Sequence, residues 1–260
     1  MSNLFAGQTK KISKAWDGFK QLREAKAMSK HFSNYLVPVI ANTTELKNIG
    51  YNIRHTVYCD ELKFEQQREN RLEIDEFDTY SKHCLLDHIH SDTFAGTVRM
   101  VRPKEDNQQL PIEKYCIDSI TNKELSPTNF NRTDICEISR LAVPAVFRRR
   151  KTDKHSGAAL GVINTVTYSD QELRCFPFIA VGLYLTAAAV ALKCNIQHAY
   201  VMMEPRLAKS MRFIGIKFEE LGPTVDYHGK RAPYYINQSL LYKNLSPGFK
   251  VMLDDIQKKL

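Results

Sequence analysis

The stretch CEISRLAVP, Cys136 to Pro144, decides how the whole chain is interpreted. Its apolar and β-branched residues, together with the terminal proline, predict a buried β-strand. The same stretch carries Glu137 and Arg140, and burying an ion costs several kcal/mol unless the ion is paired or used. A strand that keeps these two charges is therefore a candidate for a functional site.

Strand geometry makes this expectation more specific. In a regular strand, Glu137 and Ser139 point to one face of the sheet and Arg140 points to the other. Both charges can serve one cleft only if the strand carries an extra residue, which is what a β-bulge supplies. We therefore predict a bulge near Ser139 and Arg140.

The rest of the chain alternates short apolar strands with helices, without repeats or a Gly-, Ser- or Pro-rich linker. This order predicts an α/β (α+β) fold: a mixed, mostly antiparallel sheet covered by helices. We expect one domain over residues 35–260, after a basic, helical and exposed extension over residues 1–34. Strands are predicted at residues 35–41, 83–89, 93–101, 136–144, 198–204, 217–222 and 232–242. Helices are predicted at residues 42–57 with Asn42 as the cap, at 112–120, from about 158, at 176–194, at 205–216 and at the C-terminal end.

Composition limits the class of protein. Hydrophobic residues make up 43% and charged residues 25%, as in a globular protein, and the formal charge of +8 favours an acidic partner. The six cysteines contain no CxxC pair, which argues against zinc-ribbon and thioredoxin-like sites. The N-terminus lacks an apolar signal segment, so we expect a cytoplasmic protein, with peripheral contact at the inner membrane face through the N-terminal arm as an open alternative.

Polar groups on separated elements are predicted to meet at one end of the sheet. Alone, this pattern does not separate a site from a surface ion-pair network. In chain order, these groups are Arg54, Tyr58, Phe64, Asp75, Asp78, Arg99, Glu137 and Arg140. In this order the set resembles the signature of the acyl-homoserine lactone (autoinducer) synthases.

The resemblance implies the fold of the Gcn5-related N-acyltransferases (GNAT), with a bulged central strand whose backbone amides hold a thioester. Tyr58 stands where the synthases usually have phenylalanine, and Phe64 stands where they have tryptophan. These departures favour two related groups, the N-acyl amino acid synthases and the exosortase-associated acyltransferases. The run EISRLAVPAVFRRR is most similar to the latter.

The implied function is transfer of a fatty acyl group from acyl carrier protein, or acyl-CoA, to the amino group of an amino acid-type acceptor. Catalysis is assigned to Glu137, Ser139 and Arg140, with Glu137 as the base that prepares the amine. A structural role for Glu137, as the partner of Arg140 or Arg99, stays open as an alternative. Substrate binding is expected at Arg54, Tyr58, Phe64, Asp75, Asp78 and Arg99. Lactone synthesis from S-adenosylmethionine and a non-catalytic acyl-lipid or carrier-protein binding module remain alternatives.

The donor is expected to bind after the opening strand. KHSGAA resembles the acyl-donor loop of the fold, and free amides at a helix N-terminus bind phosphate. Acyl-donor or carrier-protein binding is therefore assigned to Arg148, Arg149, Arg150, Lys154, Gly157 and Ala159. The apolar run 176–192 is expected to line an acyl pocket at Phe178, Leu183 and Leu185, with a plain core helix as the open alternative.

No permanently bound cofactor, metal or nucleic acid is expected. His83, His88 and His90 do not share one face of a strand, and no carboxylate spacing completes a metal-ligand set around them. The basic cluster after the opening strand has no aromatic residues interleaved with its charges, which argues against nucleic-acid binding.

Overall fold

The computed structural model describes residue 27, residues 29–148 and residues 178–260. Its strands are β1 Leu36–Ile40, β2 Ser81–His88, β3 Thr93–Val101, β4 Ile135–Ala142, β5 His198–Met203, β6 Glu219–Glu220, β7 Val225–Asp226 and β8 Lys230–Ile236. The strand order is β1-β2-β3-β4-β5-β8-β6, and β7 pairs with β8. Among these described strands, β4 and β5 are the one pair that runs parallel. The predicted mixed, mostly antiparallel sheet is confirmed.

Helices cover both faces of the sheet. They are α1 Thr44–Arg54, α2 Pro111–Cys116, α3 Ile179–Lys193, α4 Pro205–Phe213, α5 Gln238–Asn244 and α6 Pro247–Lys259, and a π-helical turn, His55–Glu61, continues α1. Nearly every residue of α3 is buried, which makes it a core helix. Within the described ranges, no helix combines the length and the apolar character that crossing a membrane requires.

The hydrophobic core lies in separate clusters on the two faces of the sheet. The larger cluster joins α3, α4 and α6 to one face and includes Val201 and Leu207. A smaller cluster on the opposite face includes Ile135 and Tyr235 and packs against α2. Strand alternation then assigns Glu137, two residues after Ile135, to the face of the smaller cluster.

Several local predictions were wrong in detail. Thr43, not Asn42, caps α1, because its hydroxyl accepts a hydrogen bond from the Leu46 amide at 3.3 Å. The segment predicted as one strand over residues 232–242 ends at Ile236, where Asn237 caps α5 through the Leu240 amide at 2.8 Å. The apolar residues of that segment suit a strand and a short helix equally, and only the asparagine cap separates them.

The end of the predicted N-terminal arm is packed rather than exposed. Residues 29–35 are helical, and Phe32 is only 2% exposed within the larger core cluster. A Cβ atom added at Gly182 of α3 would meet the Phe32 ring at 2.5 Å, so the two elements are in close contact. The rest of the predicted arm, residues 1–26 and residue 28, and the helix predicted from about residue 158 lie outside the described residues.

Candidate active site

The predicted bulge is present in β4. Thr97 of β3 pairs with Ala142 of β4, and Arg99 pairs with Ser139. Three residues of β3 therefore lie opposite four residues of β4, so β4 has one extra residue. Arg140 has a φ of +52°, a left-handed conformation that side-chain-bearing residues rarely adopt. The bulge turns the Arg140 side chain toward the same cleft that Glu137 lines. The prediction of a bulged central strand is therefore confirmed.

A cleft of about 410 Å³ opens where β4 and β5 separate. The two strands pair from Ile135–His198 to Glu137–Tyr200, and no further pairing between them follows among the described residues. Beyond that point, residues 138–141 and 201–204 line the cleft. The sheet therefore opens in its centre, next to the bulge, and leaves a space for a ligand.

A buried ionic network lies behind the cleft. Arg54 donates to the two carboxylate oxygens of Asp78 at 2.7 and 3.0 Å, and its Nε donates to Glu73. Burial opposes the charge of Asp78, but Arg54 and Arg99 outweigh it and hold the pKa of this carboxyl below its usual range. Asp78 also accepts the Asp75 amide at 2.8 Å. Its charge and its acceptor oxygens are therefore used within the protein.

Arg99 connects this network to the bulged strand. Its Nη1 donates to Asp75 and, at 2.8 Å, to Asp78, while its Nε donates to the Ser139 hydroxyl at 3.2 Å. The Arg99 side chain is 2% exposed. Arg99 thereby fixes the Ser139 side chain, and Asp75, which is 20% exposed, faces the cleft.

Arg140 occupies the opposite side of the bulge. It donates to Glu65 at 2.9 Å and lies 3.3 Å from a Glu73 oxygen and 3.4 Å from an Asp75 oxygen. Its guanidinium carbon lies 5.6 Å from the centre of the Tyr58 ring. The Tyr58 hydroxyl in turn donates to the carbonyl of Leu141 at 2.7 Å. Arg140 and Tyr58 therefore hold the bulge in place from both sides.

Glu137 is an almost fully buried acid of the cleft. It is 1% exposed, and its Oε2 accepts the Ile112 amide at 2.6 Å. Burial raises the pKa of Glu137 to about 8, against the lowering effect of the Ile112 hydrogen bond and of Arg99. Its second oxygen has no hydrogen-bond partner within the described ranges, and the side chain lines the cleft. A carboxyl group with this pKa can accept a proton from an amine near neutral pH.

Aromatic side chains form one rim of the cleft. Tyr115 of α2 stacks on Tyr227 with ring centres 5.7 Å apart, and Phe77 meets Tyr115 at 6.0 Å. Tyr227 and His228 belong to the turn between β7 and β8, and His228 lies 6.0 Å from Phe64. Gly229, with a φ of +91°, closes this turn. The β7–β8 turn therefore reaches across the cleft to the loop after α1.

Most of the acceptor-side residues predicted from the sequence line this cleft, and two do not. Arg54 and Asp78 lie behind it in the ionic network, where they hold the loop that carries Asp75. The predicted residues that do line the cleft are Tyr58, Phe64, Asp75, Arg99, Glu137, Ser139 and Arg140.

The predicted acyl pocket needs correction. Leu183 and Leu185 are fully buried in the core, and neither they nor Phe178 lines the cleft or the second cavity. That second cavity is an apolar groove that shares Ile138, Tyr184 and Val201 with the cleft. Helical periodicity explains the difference, because Tyr184, Ala188 and Ala191 follow one stripe of α3.

The donor-binding residues are only partly placed. Arg148 forms an ion pair with Glu61, whose other oxygen accepts the Ala145 amide at 2.9 Å, and its side chain is 11% exposed. Arg148 is therefore tied to the protein and does not project as a docking residue. The other predicted members, Arg149, Arg150, Lys154, Gly157 and Ala159, lie outside the described residues.

Several cleft residues were not singled out in the sequence. Glu73 lies in the same acidic segment as Asp75, has a fully buried side chain and pairs with Arg54. The acidic composition of this segment was the sequence signal for that pairing. Tyr227 and Arg231 come from the β7–β8 hairpin, whose only sequence signal is the His-Gly turn. Among the described residues, no group of three or more His, Cys, Asp or Glu could hold a metal ion.

Comparison with known proteins agrees with the fold. Residues 53–156 match the model of a family described as an acetyltransferase (GNAT) domain. No curated protein is significantly similar to the chain in sequence.

Solved structures share the fold at low sequence identity. The acyl-homoserine lactone synthase LasI superposes with a TM-score of 0.51 and 17% identity, covering 81% of this chain and 96% of LasI. TofI, in a ternary complex with an inhibitor and MTA, superposes with a TM-score of 0.56 and 11% identity, covering 86% of this chain and 100% of TofI. FeeM, an N-acyl amino acid synthase from uncultured soil microbes, superposes with a TM-score of 0.54 and 14% identity, covering 81% of this chain and 94% of FeeM.

These comparisons confirm the predicted GNAT-like fold and the structural resemblance to the autoinducer synthases. The matched domain also confirms the prediction of an acyltransferase, because the family model describes an acetyltransferase domain.

Proposed function

We propose that the protein transfers a fatty acyl group from a pantetheine thioester to the amino group of an amino acid-type acceptor. The observation that carries this proposal is Glu137, a buried carboxyl with a pKa of about 8 at the point where β4 and β5 separate. An α-amino group has a pKa near 8, so the two groups exchange a proton at little cost.

The proposed reaction is direct attack. The neutral amine nitrogen forms a bond to the thioester carbonyl carbon, and the carbonyl oxygen takes up negative charge. In this proposal the backbone amides around Ser139 and Arg140, where the bulge shifts the register with β3, stabilise this charge. The carbon–sulfur bond then breaks, the thiolate leaves, and Glu137 takes the amine proton directly or through water.

The two faces of the sheet suit two substrates. The acceptor side holds Glu137 and Asp75 beneath the rim formed by Phe77, Tyr115 and Tyr227. The apolar groove on the α3 side begins at Ile138 and Val201, which also line the cleft. The groove has a volume of about 60 Å³, and each buried CH₂ group contributes about 0.8 kcal/mol, so it favours an acyl chain longer than an acetyl group.

Acyl carrier protein or acyl-CoA is the proposed donor. Both present the same pantetheine arm, and the net charge of +8 suits the acidic surface of a carrier protein or the phosphates of coenzyme A. The run from Glu137 to Arg150 resembles the exosortase-associated acyltransferases, which supports an amine acceptor other than S-adenosylmethionine. The proposed docking at Arg149 and Arg150 and at the KHSGAA loop remains a prediction.

Mass spectrometry of lipids from cells expressing the protein tests this function. New N-acyl amino acids that disappear in Glu137→Gln support it, whereas co-purified fatty acid without product supports a binding module. N-acyl-homoserine lactones, formed only when S-adenosylmethionine is supplied to the purified protein, would instead establish lactone synthesis.

The groove has its own test. Ala188→Phe fills the groove from α3, so the longest acyl chain accepted in competition assays with mixed acyl-CoA donors should shorten by several carbons. Ala208→Phe on α4, outside the groove, is the matched control. Unchanged chain-length preference in Ala188→Phe would place the acyl chain elsewhere.

A further inference from the structure

Arg231 is a cleft residue whose charge the protein does not neutralise. It lies in β8 and lines the cleft opposite the bulged strand. Its guanidinium makes no hydrogen bond and no ion pair with any described residue, and its Nε is buried away from solvent. An unsatisfied, partly buried guanidinium costs free energy unless a ligand supplies the missing acceptor.

The other arginines of the cleft differ in this respect. Arg99 and Arg140 are paired with Asp75, Asp78 and Glu65. Arg68 donates to the carbonyls of Leu72 at 3.3 Å and Ile74 at 2.6 Å. Arg206 is exposed, so water satisfies its donors. Arg231 is therefore the guanidinium best placed to take up an anion inside the cleft.

The position of Arg231 in its strand indicates which substrate carries that anion. Arg231, Pro233 and Tyr235 alternate along β8, and Tyr235 belongs to the smaller core cluster. Glu137 follows Ile135 of the same cluster, so Arg231 and Glu137 share one face of the sheet. Helix α4, which carries Arg206, packs through Leu207 on the opposite face.

Electrostatic neighbours agree with this placement. Burial raises the pKa of the Cys116 thiol to about 11, with Glu137 raising it further and Arg231 lowering it. The charges of Glu137 and Arg231 therefore both act on one thiol of α2. The amine-activating group and the free guanidinium lie on the same side of the cleft.

We propose that Arg231 binds a carboxylate of the acyl acceptor, so that the acceptor is an amine that carries an acid group. The inference rests on the proposed acyl transfer, because that function supplies the acceptor. Planar guanidinium and carboxylate groups form paired, charge-assisted hydrogen bonds, which orient a ligand as well as hold it. The carboxylate would fix the acceptor while its amine faces Glu137.

Ligand-observed NMR on the full-length protein tests this assignment without requiring turnover. The probes are a mixture of free amino acids and a matched mixture of their primary amides, which keep the amine and lack the carboxylate. Wild type should bind the acids in preference to the amides. Arg231→Ala should weaken acid binding by about 10- to 100-fold and leave amide binding unchanged, as expected for a lost charge-assisted bond.

Control variants distinguish the carboxylate of the acceptor from the phosphates of the donor as the anion that Arg231 binds. Arg231→Lys should restore part of the preference for acids, and Lys230→Ala, an exposed neighbour in the same strand, should behave like wild type. Circular dichroism verifies that each variant is folded. The affinity for coenzyme A, which carries the donor phosphates, should be the same in Arg231→Ala and wild type.

The assignment would be overturned if the wild type bound acids and amides equally or if Arg231→Ala kept the preference for acids. It would also be overturned if Arg231→Ala lost affinity for coenzyme A alone. Product formation from decanoyl-CoA and the acid mixture is measured in parallel. Carboxylate-dependent binding with no acylated product would contradict the proposed transferase function and leave the Arg231 site supported.

Discussion

Replacing Glu137 with glutamine should make the protein more stable and less active, and the stability gain should depend on pH. Glutamine keeps the shape of the side chain, and its carbonyl can still accept the Ile112 amide that Glu137 accepts at 2.6 Å. It removes the ionisable group. The perturbation therefore isolates the cost of holding a carboxylate in this buried position.

The size of that cost follows from the pKa. Burial raises the pKa of Glu137 from 4.5 to about 8 in the folded protein. One pKa unit corresponds to about 1.4 kcal/mol, so ionising Glu137 in the native state costs up to about 5 kcal/mol relative to the unfolded chain. Because folding raises the pKa, the stability of the protein with neutral Glu137 is fully present below pH 4.5. That stability is lost as the pH rises to about 8 and the folded protein must hold the carboxylate.

Urea unfolding of wild type and Glu137→Gln between pH 5 and pH 9 measures this effect. The difference in unfolding free energy should grow in favour of Glu137→Gln by about 1 kcal/mol or more per pH unit and level off above pH 8. Glu124→Gln, at an exposed position, should show no such trend. A difference for Glu137→Gln that stays constant within about 1 kcal/mol across this range would refute the argument.

Three further predictions concern the pH dependence of turnover, the buried ionic network and the packing of α3. The kcat/KM for acyl transfer should rise with pH up to about 8, because Glu137 must be deprotonated to accept the amine proton; a flat profile between pH 6 and pH 8 would contradict this role. Arg54→Met should lower the unfolding free energy by about 3–5 kcal/mol at pH 7, since Glu73 and Asp78 lose a buried partner, whereas Arg71→Met, in an exposed pair with Asp60, should cost less than about 1 kcal/mol. Gly182→Ala should destabilise the protein by about 1–3 kcal/mol in urea unfolding, despite the higher helix propensity of alanine, because the new methyl group meets the Phe32 ring; in a Phe32→Ala background the same change should be neutral or stabilising.

The centre of the fold could be predicted because its residues obey simple rules. The β2–β3 hairpin, the strand at residues 198–204 and the core helix α3 have strong apolar patterns bounded by turns or polar residues. The bulge in β4 followed from two charges three residues apart in an apolar strand. Local chemistry constrains all of these features, and tertiary contacts do not override it.

The parts that could not be predicted depend on contacts between distant residues. Arg231 reaches the cleft only because β8 pairs with β5, and no motif around it in the chain indicates that position. Leu183 and Tyr184 are neighbours in a uniformly apolar helix, so the sequence does not show which of them faces a cavity. Arg148 looks like part of an exposed basic cluster until the loop after β4 brings it to Glu61.

In the proposed reaction, Glu137 activates an amine for attack on an acyl thioester in the cleft between β4 and β5. The most direct test incubates the purified full-length protein with decanoyl-carrier protein or decanoyl-CoA and a mixture of amino acids, and measures amides by mass spectrometry. Wild type should form N-decanoyl amino acids, and folded Glu137→Gln should bind the donor but form at least about 100-fold less product. No amide from wild type, or equal amounts from Glu137→Gln, would contradict the account.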